Sequence, residues 1–173
     1  MSVNARDSLF GVIIVSASRP NASTLPLPRT YSTTFAGLPG QVHAARTWLD
    51  HLLTRPTTPP GATRARPTAC LLLSELATNT LRHTASGAPG GLFSVIATID
   101  ASHLRISVHD QGGPNTPAPP TAALPGNADQ ALLSCSGRGL LLVSSLATAW
   151  DTRPTPTGRT VWFELDLATD ARS

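Results

Sequence analysis

The chain has 173 residues, enough for one domain with a real core. Charged residues make up only 13% of it, the formal net charge is +3, and no Lys/Arg run is interleaved with aromatics, so the sequence gives no support for nucleic-acid binding. No apolar run reaches the roughly 20 residues that span a bilayer, and Cys70 and Cys135 lack the spacing of a disulfide framework or a zinc site, which points to reduced thiols in a cytoplasmic protein.

Residues 1–30 carry Pro, Ser, Asn and Thr without periodicity and are predicted to be a flexible tail. Within them Leu9 to Val15 is apolar. That stretch is short for a signal peptide, and Asp7 beside Arg6 spoils the basic flank. A short strand is predicted around Tyr31 to Phe35, and Leu38-Pro39-Gly40 punctuates it. Val42, Ala45, Trp48-Leu49 and Leu52-Leu53 recur at helical spacing and give a first helix. Thr54 to Pro67 is rich in Pro, Thr and Arg, with Pro59-Pro60-Gly61 as a breaker. A second helix is predicted from about Thr68 to Thr84, ended by Ser86-Gly87-Ala88-Pro89-Gly90-Gly91.

Two alternating strands follow. Phe93, Val95, Ala97 and Ile99 share one face of the first. Leu104, Ile106 and Val108 share one face of the second, with Asp100-Ala101-Ser102 as the turn between them. Asp110-Gln111-Gly112-Gly113 comes directly after the second strand. Gly113 to Ser136 is long, Pro-rich and weakly periodic, a length that in compact domains usually serves function. Gly137-Arg138-Gly139 opens a third helix over Leu140 to Leu146. A short strand near Ala149-Trp150-Asp151 and a turn over Arg153 to Gly158 lead to a final strand, in which Val161, Phe163 and Leu165 alternate with Thr160, Trp162 and Glu164. Helices combined with antiparallel hairpins in this order predict an α+β two-layer sandwich: a mixed, mainly antiparallel sheet with helices on one face.

The second helix carries the most informative pattern. Glu75, Asn79, Arg82 and His83 are spaced by four, seven and eight residues and share one face, while Ala69, Leu73, Leu76, Ala77 and Thr80 take the other. A carboxylate and a carboxamide one turn apart have the chemistry to accept a proton and to ligate a hard cation. Two further polar elements follow, Asp110-x-Gly112-Gly113 and Gly137-x-Gly139. Taken singly, each of the three has a plain reading: a solvated helix face, a tight turn, loop punctuation. Their joint order, with the right elements between them, narrows the choice.

In that order the sequence resembles the GHKL ATPase superfamily, which has the Bergerat or histidine-kinase-like ATPase fold. Within it the likeness is to the anti-sigma-factor serine/threonine kinases, as in the single-domain ATP-binding regulators abundant in actinomycetes. The matching segments are Glu75-Leu76-Ala77-Thr78-Asn79-Thr80-Leu81-Arg82-His83, Val108-His109-Asp110-Gln111-Gly112-Gly113-Pro114 and Gly137-Arg138-Gly139-Leu140-Leu141-Leu142-Val143. Phe35-x-Gly37-x-Pro39 with Ala45-Arg46, and the closing Gly158 to Leu165, fit the two ends. Pro114 is a departure, standing where the family's first glycine box often has its last glycine.

The resemblance implies an ATP-binding domain over 31–168, with an ATP lid at about 114–136 and a C-terminal tail at 169–173. It implies ATP and Mg²⁺ as cofactors, Asn79 as the Mg²⁺ ligand and Glu75 as the general base. Asp110 would accept from the exocyclic amine of adenine, with Gly112 letting the backbone approach the base. Gly137, Gly139 and Leu140 would border phosphate at a helix N-terminus, and Arg138 and Arg82 would add charge there. The expected activity is transfer of the γ-phosphate to a Ser or Thr of an antagonist protein. The expected partners are that antagonist, a sigma factor and, since such proteins often dimerise, a second copy. The alternative is an ATP-binding or degenerate docking module without catalysis. No phospho-acceptor histidine hairpin and no transducer domain are recognisable, which argues against a sensor kinase or a gyrase-like ATPase. Trp48, Trp150 and Trp162 are expected in the core or at a partner surface.

Overall fold

The computed structural model describes residues 13–14, 27–113 and 138–167. Strands β1 (Ile13–Ile14), β2 (Arg29–Ala36), β3 (Leu92–Ile99), β4 (His103–Asp110), β5 (Ala149–Thr155) and β6 (Gly158–Asp166) form one sheet in the order β1-β2-β3-β4-β6-β5. Helices α1 (Pro39–Leu53), α2 (Pro60–His83) and α3 (Arg138–Leu146) complete the described elements, with a 3-10 turn at Ala85–Gly87. All five strand pairings are antiparallel, so the expected mainly antiparallel sheet is wholly so among the described residues.

The period-2 pattern sets the two faces of the sheet. Phe93, Val95, Ala97 and Ile99 of β3 are buried, as are Leu104, Ile106 and Val108 of β4 and Phe163 and Leu165 of β6. Against them α2 lays Ala69, Leu72, Leu73, Leu76 and Ala77. Burying each such leucine contributes about 1.5–3 kcal/mol, so the apolar half of α2 fixes the helix's rotation on the sheet. Helix α1 adds Trp48, whose ring meets Phe35 edge-on at 6.5 Å, while Phe35 stacks on Phe93 at 5.4 Å. Trp150 packs half-buried against this core. Trp162 lies instead on the uncovered face, with the Arg105 guanidinium 4.0 Å over its ring.

Four boundaries differ from expectation. Helix α2 begins at Pro60, not near Thr68, and carries Pro67 inside it. Pro60 takes a first-turn position where no N–H bond is lost. The early turns are also held from outside: Thr63 Oγ1 donates to the Leu53 carbonyl at 3.0 Å, Ala62 is fully buried, and Gly61 leaves room for the Leu167 backbone. Helix α3 starts at Arg138, two residues ahead of Leu140. Strand β5 runs on through Pro154, which is tolerated because β5 is an edge strand with one side unpaired. The sheet also reaches into the predicted tail 1–30: β2 starts at Arg29, and Ile13 and Ile14 pair with Ser32 and Tyr31. The lid at 114–136, with Cys135, and the tail at 169–173 lie outside the described residues.

Candidate functional site

The rotation imposed by α2's buried half leaves Glu75 and Asn79 on the side that faces α3. There the second glycine motif meets them. A Cβ built on Gly139 would lie 2.9 Å from Glu75 Oε2 and 3.1 Å from Asn79 Nδ2. Glycine is what lets the first turn of α3 come this close. Gly139 is the second residue of that helix, so the backbone N–H groups around it have no intrahelical acceptors and attract anions. Asn79 Nδ2 is buried and has no hydrogen-bond partner. A buried donor left unpaired costs about 1–3 kcal/mol, so an acceptor reaching Asn79 here would be favoured. Leu140, next in α3, is half-buried and packs its side chain on the core.

Asp110 ends β4 and is only 3% exposed. Its Oδ1 accepts the Gly112 N–H at 2.7 Å, which closes a tight turn with Gly112 in the left-handed region at φ +68°. Burial pushes the Asp110 carboxyl above its ordinary value. The backbone N–H groups of Gly112 and Arg159, and the nearby charges of His109 and Arg159, pull the other way. The turn is tied to the end of α2. Ala85 N–H donates to the Gly112 carbonyl, and Gln111 N–H donates to Ser86 Oγ at 2.9 Å. Gly158, at the start of β6, carries no side chain because the Asp110 carbonyl and Gly112 N–H occupy that space.

Thus Glu75, Asn79 and Gly139 meet where α2 faces α3, and the Asp110–Gly112 turn is joined to Ala85 and Ser86, the residues that follow the same helix. Arg82 is exposed and lines a groove with Pro39, Val42, His43, Arg46 and Thr78 between α1 and α2. His83 is exposed as the last residue of α2. Gly137 and the side chain of Arg138 lie outside the described residues. Sequence reasoning passed over Ser86 and Gly158. A serine in a helix-terminating turn has no periodic signal, and a hairpin glycine shows its role only once β6 is paired with β4.

The donor set can be tested against a cation. Among the described residues no group of three or more His, Cys, Asp or Glu side chains could hold a metal by itself. One carboxamide beside one carboxylate, facing a glycine-tipped helix, suits an ion such as Mg²⁺ that takes few protein ligands and completes its shell with water and phosphate. The residues present therefore fit Mg²⁺ held together with a nucleotide.

The fold is a two-layer sandwich of an antiparallel sheet and helices, with Glu75 and Asn79 of α2 set against the first turn of α3. The sequence profile of the histidine kinase-like ATPase domain matches residues 35–165, more than half of the chain, and the protein belongs to that family. A comparison with curated proteins finds no match. Among the described residues no helix is long and apolar enough to cross a membrane.

Proposed function

We propose that the protein binds ATP with Mg²⁺ across this wall and passes the γ-phosphate to a Ser or Thr of an antagonist protein, as in the anti-sigma-factor kinases it resembles. The observation that carries the reading is the meeting of Gly139, in the first turn of α3, with the Glu75 carboxylate and the Asn79 carboxamide. Family membership supports nucleotide binding and leaves the acceptor to be identified.

In this reading Asn79 holds Mg²⁺ through its carboxamide oxygen. When bound, the ion neutralises charge developing on the phosphate oxygens. Glu75 makes no ion pair among the described residues, so its carboxylate is available to take the proton of an attacking hydroxyl. That oxygen bonds to the γ-phosphorus as the bridge to the β-phosphate breaks, and ADP leaves. Asp110 would accept from the exocyclic amine of adenine with its remaining lone pairs, Gly112 would let the backbone approach the base, and the amides of α3 with Arg138 would steady the phosphates. Sequestration of a sigma factor in the cytoplasm, by one copy or a dimer, follows from the same resemblance.

The test is Mg²⁺-ATP titration by thermal shift, then transfer of labelled phosphate to candidate antagonists. Glu75→Gln should keep ATP affinity within about threefold and slow transfer by about 10²- to 10⁴-fold. An unchanged transfer rate would remove Glu75 from the base role. Pro114, in place of the expected glycine, favours a second reading in which the domain holds ATP and regulates by docking alone. ATP binding without transfer to any antagonist would select it.

A further inference from the structure

We infer that Ser86 is a positioning residue for base selection: by accepting the Gln111 N–H it fixes the Asp110–Gly112 turn, and so sets how strongly ATP is preferred over GTP. The inference rests on the nucleotide reading of the site and adds a residue that neither the motifs nor the family match assigns.

Ser86 is fully buried, a costly place for a hydroxyl unless it is bonded. Its Oγ accepts the Gln111 N–H at 2.9 Å, while its own N–H donates to Thr84 Oγ1 at 3.2 Å. Gln111 is the residue between Asp110 and Gly112, so this bond grips the middle of the turn. Two further bonds brace it: Ala85 N–H to the Gly112 carbonyl, and Leu92 N–H to Gln111 Oε1 at 2.9 Å.

The serine itself has nowhere to go. Its carbonyl fills the space where side chains would stand on Gly37 and Gly91, and the next residue, Gly87, is pressed against the Leu81 carbonyl. So the hydroxyl is a fixed point, and through Gln111 it fixes the backbone that carries Asp110. Without it the Gln111 N–H loses its acceptor, and the turn keeps only the bonds at its edges, Ala85 to Gly112, Leu92 to the Gln111 side chain and Gly112 to Asp110. A carboxylate must be held to within about half an ångström to read a base edge. Adenine offers an amine donor at that edge and guanine an oxygen that the carboxylate repels. Loss of the anchor therefore weakens adenine recognition and leaves the phosphate contacts of Asn79 and α3 intact.

The experiment is competitive titration of the full chain with Mg²⁺-ATP and Mg²⁺-GTP, on the wild type, Ser86→Ala, Ser86→Cys and Asn79→Ala. Ser86→Ala should weaken ATP binding about tenfold, one step of 1.4 kcal/mol, leave GTP binding unchanged and so lower the ATP/GTP preference about tenfold. Ser86→Cys, with a poorer acceptor of similar size, should fall between, and Asn79→Ala should weaken both nucleotides alike. Hydrogen exchange at the Gln111 amide should be slow in the wild type without nucleotide and faster in Ser86→Cys, a readout that stands even where Ser86→Ala does not fold. An unchanged preference in a folded Ser86 variant, an equal loss for both nucleotides, or rapid wild-type exchange at Gln111 overturns the inference. A folded wild type that binds no ATP instead overturns the nucleotide reading itself, before any variant is made.

Discussion

Gly139→Ala separates the site from the stability of the fold. The added methyl would stand 2.9 Å from Glu75 Oε2 and 3.1 Å from Asn79 Nδ2, with Glu75 Cβ at an ordinary 3.5 Å. Both close atoms are the ends of side chains, so they give way by a few tenths of an ångström and the helix stays where it is. Alanine in place of glycine favours a helix by up to about 1 kcal/mol, which offsets that small strain. The melting temperature should therefore move by no more than about 4 °C for a chain of this size. Binding should not be spared. The methyl enters the space where the carboxylate, the carboxamide and the first amides of α3 converge. Loss of one hydrogen bond to a charged group there costs about 1.5–3 kcal/mol, a rise in Kd for Mg²⁺-ATP of about 10- to 100-fold. Isothermal titration gives the Kd and differential scanning calorimetry the melting temperature. Gly40→Ala is the matched control: Gly40 is also the second residue of its helix, but nothing lies within 4 Å of its added Cβ. It should leave Kd unchanged. A Gly139→Ala protein that binds ATP within about twofold of the wild type would refute the convergence of α2 and α3 on a ligand.

Two other perturbations read the buried titratable groups. Because burial raises Asp110 above 3.8, the folded protein favours its protonated form, and the stability this gives is present in acid and lost as pH rises through the folded value. Asp110→Asn, uncharged throughout, should thus melt no lower than the wild type at pH 7 and lose that advantage near pH 3, while ATP binding at pH 7 falls at least about tenfold; an Asn variant that melts lower at pH 7 but not in acid would contradict the sign. The Cys70 thiol is pushed up to about 11, mainly by burial with the Asp50 charge adding. In a Cys135→Ser chain a disulfide reagent at pH 8 should react with Cys70 only on unfolding in urea, and prompt labelling of the native protein would show the core there to be open.

Much of the architecture was legible because its carriers are periodic. The alternation in β3, β4 and β6 marks their buried faces directly, and the apolar half of α2 marks its own. Helix α2's first two turns were not legible, since prolines at 59, 60 and 67 read locally as a breaker. What holds them is the Thr63–Leu53 bond and the seat of Ala62, both dependent on parts of the chain far from the prolines. The same divide runs through the site. Glu75 and Asn79 stand out because polar residues on a helix that is otherwise apolar have to face something. Asp110 stands out because a carboxylate followed by glycines ends an apolar strand. That α3 docks with Gly139 on the Glu75–Asn79 pair is a tertiary fact, and Ser86 owes its role to a residue 25 positions away.

The placement of Ser86 bears on how the site works as a unit. Glu75 and Asn79 sit within the last three turns of α2, and the Ala85 and Ser86 bonds that hold the Asp110 turn begin two residues after that helix ends. One element thus carries the groups assigned to phosphate and, through its end, positions the group assigned to adenine. Its orientation is set by Leu72, Leu73, Leu76 and Ala77 packed on the sheet. In the proposed reading, the spacing between the two halves of the site is set by the packing of α2 on the sheet together with the turn that follows it. That spares a ligand the cost of ordering the two halves on binding.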